Sequence, residues 1–174
     1  MAVFLPGRLY FALESQVWTG GLGLYDPLDP GEMPARAYLV TVGQFSDIVA
    51  QEMYEAPGGD LDLGGVLAHG RDVRGPGRYE TLVCCGELDG FPVITFTAGW
   101  RSGDVAWRAP SGAYLRHLAS GLIEAHGWSV ARTARYLGSR PGAVGVWSTA
   151  AVRAVIEGVA GRGRPSSVRT VDGP

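Results

Sequence analysis

The run Pro110-Ser111-Gly112-Ala113-Tyr114-Leu115-Arg116-His117-Leu118-Ala119-Ser120-Gly121-Leu122-Ile123-Glu124-Ala125-His126-Gly127 is where the chain changes period. Pro110 and Ser111 open a helix, Leu115, Leu118, Ala119 and Leu122 form its apolar face, and Gly127 closes it just after His126. Downstream the pattern stays helical. Ser129 starts a second helix through Leu137, ended by Gly138 and Pro141. Ser148 caps a third, with Val152, Val155, Ile156 and Val159 on one face. From Gly161 the composition is Arg, Pro, Gly and Ser, so residues 161–174 are expected to be a flexible tail.

Upstream the period is two. Arg8 to Leu13, Gly20 to Pro27 and, after the turn chemistry of Asp29-Pro30-Gly31, Ala35 to Thr41 read as three strands. Phe45, Ile48, Val49 and Met53 then recur at helical spacing, so Gln44 to about Met53 is predicted to be a short helix, with Ser46 or Thr41 able to cap it. Residues 55–77 form a Gly-rich excursion with a weak helical signal around Leu61 to Leu67. Tyr79 to Cys84 and Phe91 to Thr97 read as a hairpin around Glu87-Leu88-Asp89-Gly90. Strands followed by helices, without alternation, predict an α+β layout in a single domain over residues 1–160.

Composition narrows the function classes. With 174 residues, 46% hydrophobic and 18% charged, and a mean hydropathy of +0.07, the chain can bury a core. A domain of this size buries roughly 70% of its unfolded surface, so neither a metal nor a disulfide is needed for stability. All 15 basic residues are Arg, scattered from Arg8 to Arg169 against 17 acidic ones, for a net charge of −2. Without a basic stripe, nucleic acid and anionic membranes are not expected partners. The opening residues carry Pro6, Gly7 and Arg8 where a signal peptide needs an unbroken apolar run, so the expected address is cytoplasmic.

Few residues offer chemistry. His69, His117 and His126 stand apart, without the clustered ligands a zinc site requires, so no metal is expected. Cys84 and Cys85 lie adjacent in a predicted strand, where one reads as a buried small hydrophobe and the other as a half-exposed thiol. The glycines of Trp18-Thr19-Gly20-Gly21 lack the Lys and Ser/Thr of a phosphate loop and suit close packing in a curved sheet. Glu52 lies one step from the apolar face of the short helix. Held against that surface, its carboxyl would be destabilised in the charged form and become a candidate general acid/base, whereas in a solvated turn it is an ordinary surface Glu.

The order of motifs resembles the gamma-glutamylcyclotransferase family. The resemblance is carried by Trp18-Thr19-Gly20-Gly21, by Ala35 to Thr41 followed by Gln44-Phe45-x-x-Ile48, by Tyr79, and by Pro110-Ser111-x-x-Tyr114-Leu115 with Gly121 and Gly127, spanning about Leu9 to Leu137. It implies a small β-barrel or curved mixed sheet with flanking helices and a C-terminal helical segment. It also implies Glu52 as the catalytic carboxylate, with Tyr79, Tyr114, Gly20 and Gly21 around the substrate and no cofactor.

Two departures accompany the resemblance. No Tyr-Gly-Ser-Asn type turn precedes Leu9, so the chain is expected to lack the family's first strand and to leave a sheet edge open, which favours a homodimer. Met53 also follows Glu52 where the family has Gly, and Val49 stands where it has Asp, which makes Glu55 a substitute. The implied reaction is cyclisation of a small-molecule γ-glutamyl amine or peptide, releasing 5-oxoproline. Two other readings stand beside it: a non-catalytic or truncated relative serving as a binding module, and a different amide hydrolase or deacylase.

Overall fold

The computed structural model describes residues 1–53 and 55–158. Its strands are β1 (Ala2–Pro6), β2 (Arg8–Ala12), β3 (Leu22–Asp26), β4 (Glu32–Arg36), β5 (Arg71–Val73), β6 (Thr81–Leu88) and β7 (Phe91–Thr97). Its helices are α1 (Val42–Glu52), α2 (Gly64–His69), α3 (Gly112–His126), α4 (Val130–Gly138) and α5 (Thr149–Ile156), with one 3-10 turn at Ser102–Asp104. The class is α+β. Among the described residues the strands form three small antiparallel sheets, β1-β4, β2-β3 and β5-β6-β7, and not the closed barrel or mixed sheet implied by the resemblance. The fate of the predicted tail, 161–174, and of Val159 lies outside the described residues.

The first two sheets are halves of one bent ribbon. Pro6 pairs with Glu32 and Arg8 with Asp26, so the single residue Gly7 faces the turn Pro27–Gly31. Gly7 adopts φ +114°, and its N–H donates to the Gly31 carbonyl at 2.9 Å, carrying the ladder across the bend. A Cβ there would lie 2.4 Å from the Asp26 carbonyl oxygen. This corrects the expectation of a missing first strand, because β1 precedes Leu9 and runs against β4. The predicted strand Ala35–Thr41 ends earlier than expected. Ala37 still donates to the Met1 carbonyl, and there β1 runs out.

The two faces of β2 bury different cores, as strand alternation requires. Phe11 joins Leu115 and Ala119 of α3, Ala134 and Leu137 of α4, Ala143 of the turn after α4, and Val152 of α5. Tyr10 and Ala12 pack with Leu24, flanked by Tyr79 and Val105. The helices begin where their caps stand: Ser111, Ser129 and Ser148 each accept an N–H from the third residue beyond. Thr41 and Gln44 close a full capping box on α1. The β6-β7 hairpin turns at Asp89 and Gly90, both with positive φ, as a two-residue turn demands.

A buried carboxylate ties the ribbon to the segment after β7. Asp26 accepts the Ser102 N–H at 2.8 Å, the Leu28 N–H at 2.9 Å and the Arg101 Nε at 3.0 Å. Burial by itself pushes the Asp26 carboxyl up, but these donors and the guanidinium charge outweigh it and hold the carboxyl below its usual range.

Candidate functional site

Tyr114 and His117 stand one turn apart on α3, on the side that faces the loop between β2 and β3. The Trp18 ring covers both, stacked at 5.7 Å from Tyr114 and 5.0 Å from His117. The loop that presents Trp18 is held by its own hydrogen bonds. Ser15 Oγ accepts the Trp18 N–H at 2.9 Å, the Ser15 N–H donates to the Gly20 carbonyl, and Glu14 accepts the Gly20 N–H at 2.7 Å while pairing with Arg108. The Tyr114 hydroxyl accepts the Gly23 N–H at 3.2 Å. Burial raises the Tyr114 hydroxyl above its ordinary pKa, the Gly23 N–H opposes the rise, and the charge of Glu52 adds to it.

Glu52 itself ends α1 and is exposed. Of the two placements open to it, shielded against the apolar face of its helix or solvated, the packing of α1 gives the solvated one. Ser46 and Val49 are the buried residues, Ile48 faces solvent, and Phe45 meets Phe96 of β7 at 6.1 Å. Glu55, the substitute, is exposed as well.

Gly20 and Gly21 are engaged by backbone. The Gly21 N–H donates to the Ala109 carbonyl at 2.8 Å, and Gly20 bridges to Pro110. A Cβ on Gly21 would lie 2.1 Å from the Arg108 carbonyl oxygen, and one on Gly20, at φ +72°, 2.6 Å from the Ala109 carbonyl oxygen. Close strand approach explains both glycines, as sheet packing suggested.

Tyr79 does not join Tyr114. It packs with Tyr10, Ala12 and Leu24 and meets Phe96 edge-on at 5.7 Å, whereas Tyr114 packs edge-on to Phe11 at 6.3 Å. The two tyrosines belong to opposite faces of the β2-β3 ribbon, so the picture of both lining one pocket is corrected. Tyr79 also precedes β6 rather than opening it. His117 was legible only as a lone helical His. Its place under Trp18 is set by tertiary packing.

The Tyr-Gly-Ser-Asn type turn of the family has no counterpart at the β1-β2 junction, where the Gly7 N–H is already committed to the Gly31 carbonyl. Among the described residues no three His, Cys, Asp or Glu side chains group as a metal site. No helix there is long and apolar enough to cross a membrane. Cys84 and Cys85 are both free and half-buried, with the Cys85 thiol 3.6 Å from the Tyr25 hydroxyl.

No family model matches the chain, and no solved structure matches it. It is similar to histone deacetylase 5 of Arabidopsis thaliana, with 32% identity over 139 residues, covering 68% of this chain and 21% of that protein. The chain thus spans about a fifth of that relative's length.

Proposed function

We propose that the chain is a gamma-glutamylcyclotransferase-like domain that cyclises a small γ-glutamyl amine or peptide to 5-oxoproline. The observation that supports this reading is the stacking of Tyr114 of α3 under the ring of Trp18, which brings together two of the segments that carry the resemblance from far apart in sequence. In the reaction the substrate's α-amine attacks its own γ-carbonyl carbon. A C–N bond closes the five-membered ring as the bond to the departing amine breaks. Glu52 takes the proton from the attacking nitrogen and delivers it to the leaving one. Because the attack is intramolecular, the protein chiefly has to hold the folded substrate, a task for Tyr114 under the Trp18 ring. The chemistry calls for no cofactor, and the location that suits it is the cytoplasm.

The test is release of 5-oxoproline from a panel of γ-glutamyl compounds by the wild-type chain and by Glu52→Gln. The expected result is product from the wild type and loss of at least a hundredfold in the variant, with an unchanged melting temperature. Equal rates in the two proteins refute the assignment.

A second reading, a non-catalytic binding module, is favoured by the exposure of Glu52 and by the match to only a fifth of a longer relative. Absence of product from every compound with the folded wild type would support it. The deacylase named in that relative is a third reading, and stoichiometric zinc in the purified chain would bring it forward.

A further inference from the structure

The three-stranded sheet ends on β7, and its ladder shows which backbone groups of that strand face outward. The Cys84 N–H of β6 donates to the Gly70 carbonyl at 2.9 Å, and the Arg74 N–H donates to the Glu80 carbonyl at 2.8 Å, both on the β5 side. Up to Cys84, the even-numbered residues of β6 therefore bond toward β5. Antiparallel ladders alternate, so Cys84–Ile94 and Leu82–Phe96 are non-hydrogen-bonded pairs of the β6-β7 ladder. The N–H and C=O of Ile94 and of Phe96 thus point away from β6. Among the described residues no hydrogen bond reaches these outward groups, and no strand other than β6 pairs with β7.

Charged side chains usually blunt such an edge, yet β7 reads Phe91-Pro92-Val93-Ile94-Thr95-Phe96-Thr97, without a charge. Pro92 has the same parity as Ile94, so its missing N–H also faces out, as an edge strand permits. The complete outward groups are those of Ile94 and Phe96, and this stretch is its own complement. Under a two-fold axis through Thr95, Ile94 lies opposite Phe96 of a second copy, and every outward N–H of the pair meets a carbonyl. The residue on the axis has to face itself. A charge there would repel its copy, whereas Thr beside Thr is a favourable cross-strand pair. Beyond the strand the flanks differ in sign: Asp89, exposed in the hairpin turn, precedes β7, and Arg101 follows it. The Arg101 side chain is 46% exposed, although its Nε is held by Asp26. Antiparallel alignment brings these unlike ends together.

We propose that the outer edge of β7 pairs with the β7 edge of a second copy of this chain, antiparallel about a two-fold axis at Thr95. The two three-stranded sheets become one continuous sheet, and the assembly closes at the dimer because the same edge is used by both copies. The interface does not depend on the cyclisation chemistry, since neither Glu52 nor Tyr114 belongs to this sheet.

The experiment is analytical ultracentrifugation of the full chain from about 1 to about 200 µM, with amide hydrogen exchange read at both ends of that range. A monomer–dimer equilibrium is expected, with exchange at Ile94 and Phe96 slowing as dimer forms. Ile94→Pro deletes an outward donor and leaves the ladder to β6 intact. It should raise the dimer Kd about thirtyfold, the worth of the two hydrogen bonds it removes across the axis. Thr95→Lys sets like charges across the axis and should raise Kd about fivefold. Both variants should melt as cooperatively as the wild type; if one fails to fold, the other decides. A wild type that stays monomeric overturns the proposal and leaves the edge to a strand from another protein. Assemblies larger than a dimer overturn it too, as do a dimer undiminished in a folded variant and exchange at Ile94 and Phe96 that ignores concentration.

Discussion

The Tyr114 hydroxyl of α3 accepts the Gly23 N–H of β3 at 3.2 Å, across 91 residues of sequence. It caps an outward-facing amide of β3 and so anchors the helix layer to the ribbon. Tyr114→Phe leaves that N–H without its acceptor while the ring keeps its contacts with Trp18 and Phe11. The expected loss is about 1–2 kcal/mol of stability by chemical denaturation. A variant as stable as the wild type would show that water replaces the hydroxyl.

Gly21→Ala should do more damage, since its Cβ would lie 2.1 Å from the Arg108 carbonyl oxygen, a backbone atom that moves only if two segments separate. A loss of about 3 kcal/mol is expected, at the upper end of overpacking costs. Gly59→Ala, where nothing lies within 4 Å of the added atom, is the control and should be nearly neutral.

Acid stability should depend on Asp26. Its folded-state pKa is depressed, so its contribution is complete above the unfolded value of about 3.9 and is lost as pH falls through the folded value. Asp26→Asn should lower stability at neutral pH and flatten the decline below about pH 4. Denaturation midpoints measured for both proteins from pH 7 to pH 2 check this, and parallel curves would exclude Asp26 as the source.

At Gly121 the direction reverses. Ala there meets open space and improves helix propensity, so Gly121→Ala should stabilise the fold by about 1 kcal/mol, read as a raised melting temperature. A lower melting temperature would mean that α3 requires glycine for a packing reason.

Much of the local structure was legible because its causes are local. The serine caps at 111, 129 and 148 and the Asp89-Gly90 turn satisfy backbone groups within a few residues, and each stands where its pattern places it. The first strand was missed because Pro6-Gly7 looks like a break, whereas Gly7 bends a continuous ladder whose other side lies beyond Asp26. The strand around Val73 lies inside the Gly-rich stretch and gains its order only from pairing with β6. Period also could not say which side of α1 packs. Phe45 and Val49 turn toward the protein while Ile48, equally apolar, faces water and Glu52 ends up exposed.

By itself, then, the order of residues determined the α+β class, the capped helices α3 to α5 and the β6-β7 hairpin, because capping, turn chemistry and amphipathic period act over one or two turns of chain. Only the tertiary structure decided that Tyr79 and Tyr114 occupy opposite faces of one ribbon, that Gly20 and Gly21 press against the backbone of residues 108–110, and that Gly121 opens onto a cleft. Those relations join segments tens of residues apart, and the close packing that fixes them depends on the shapes of all the elements together.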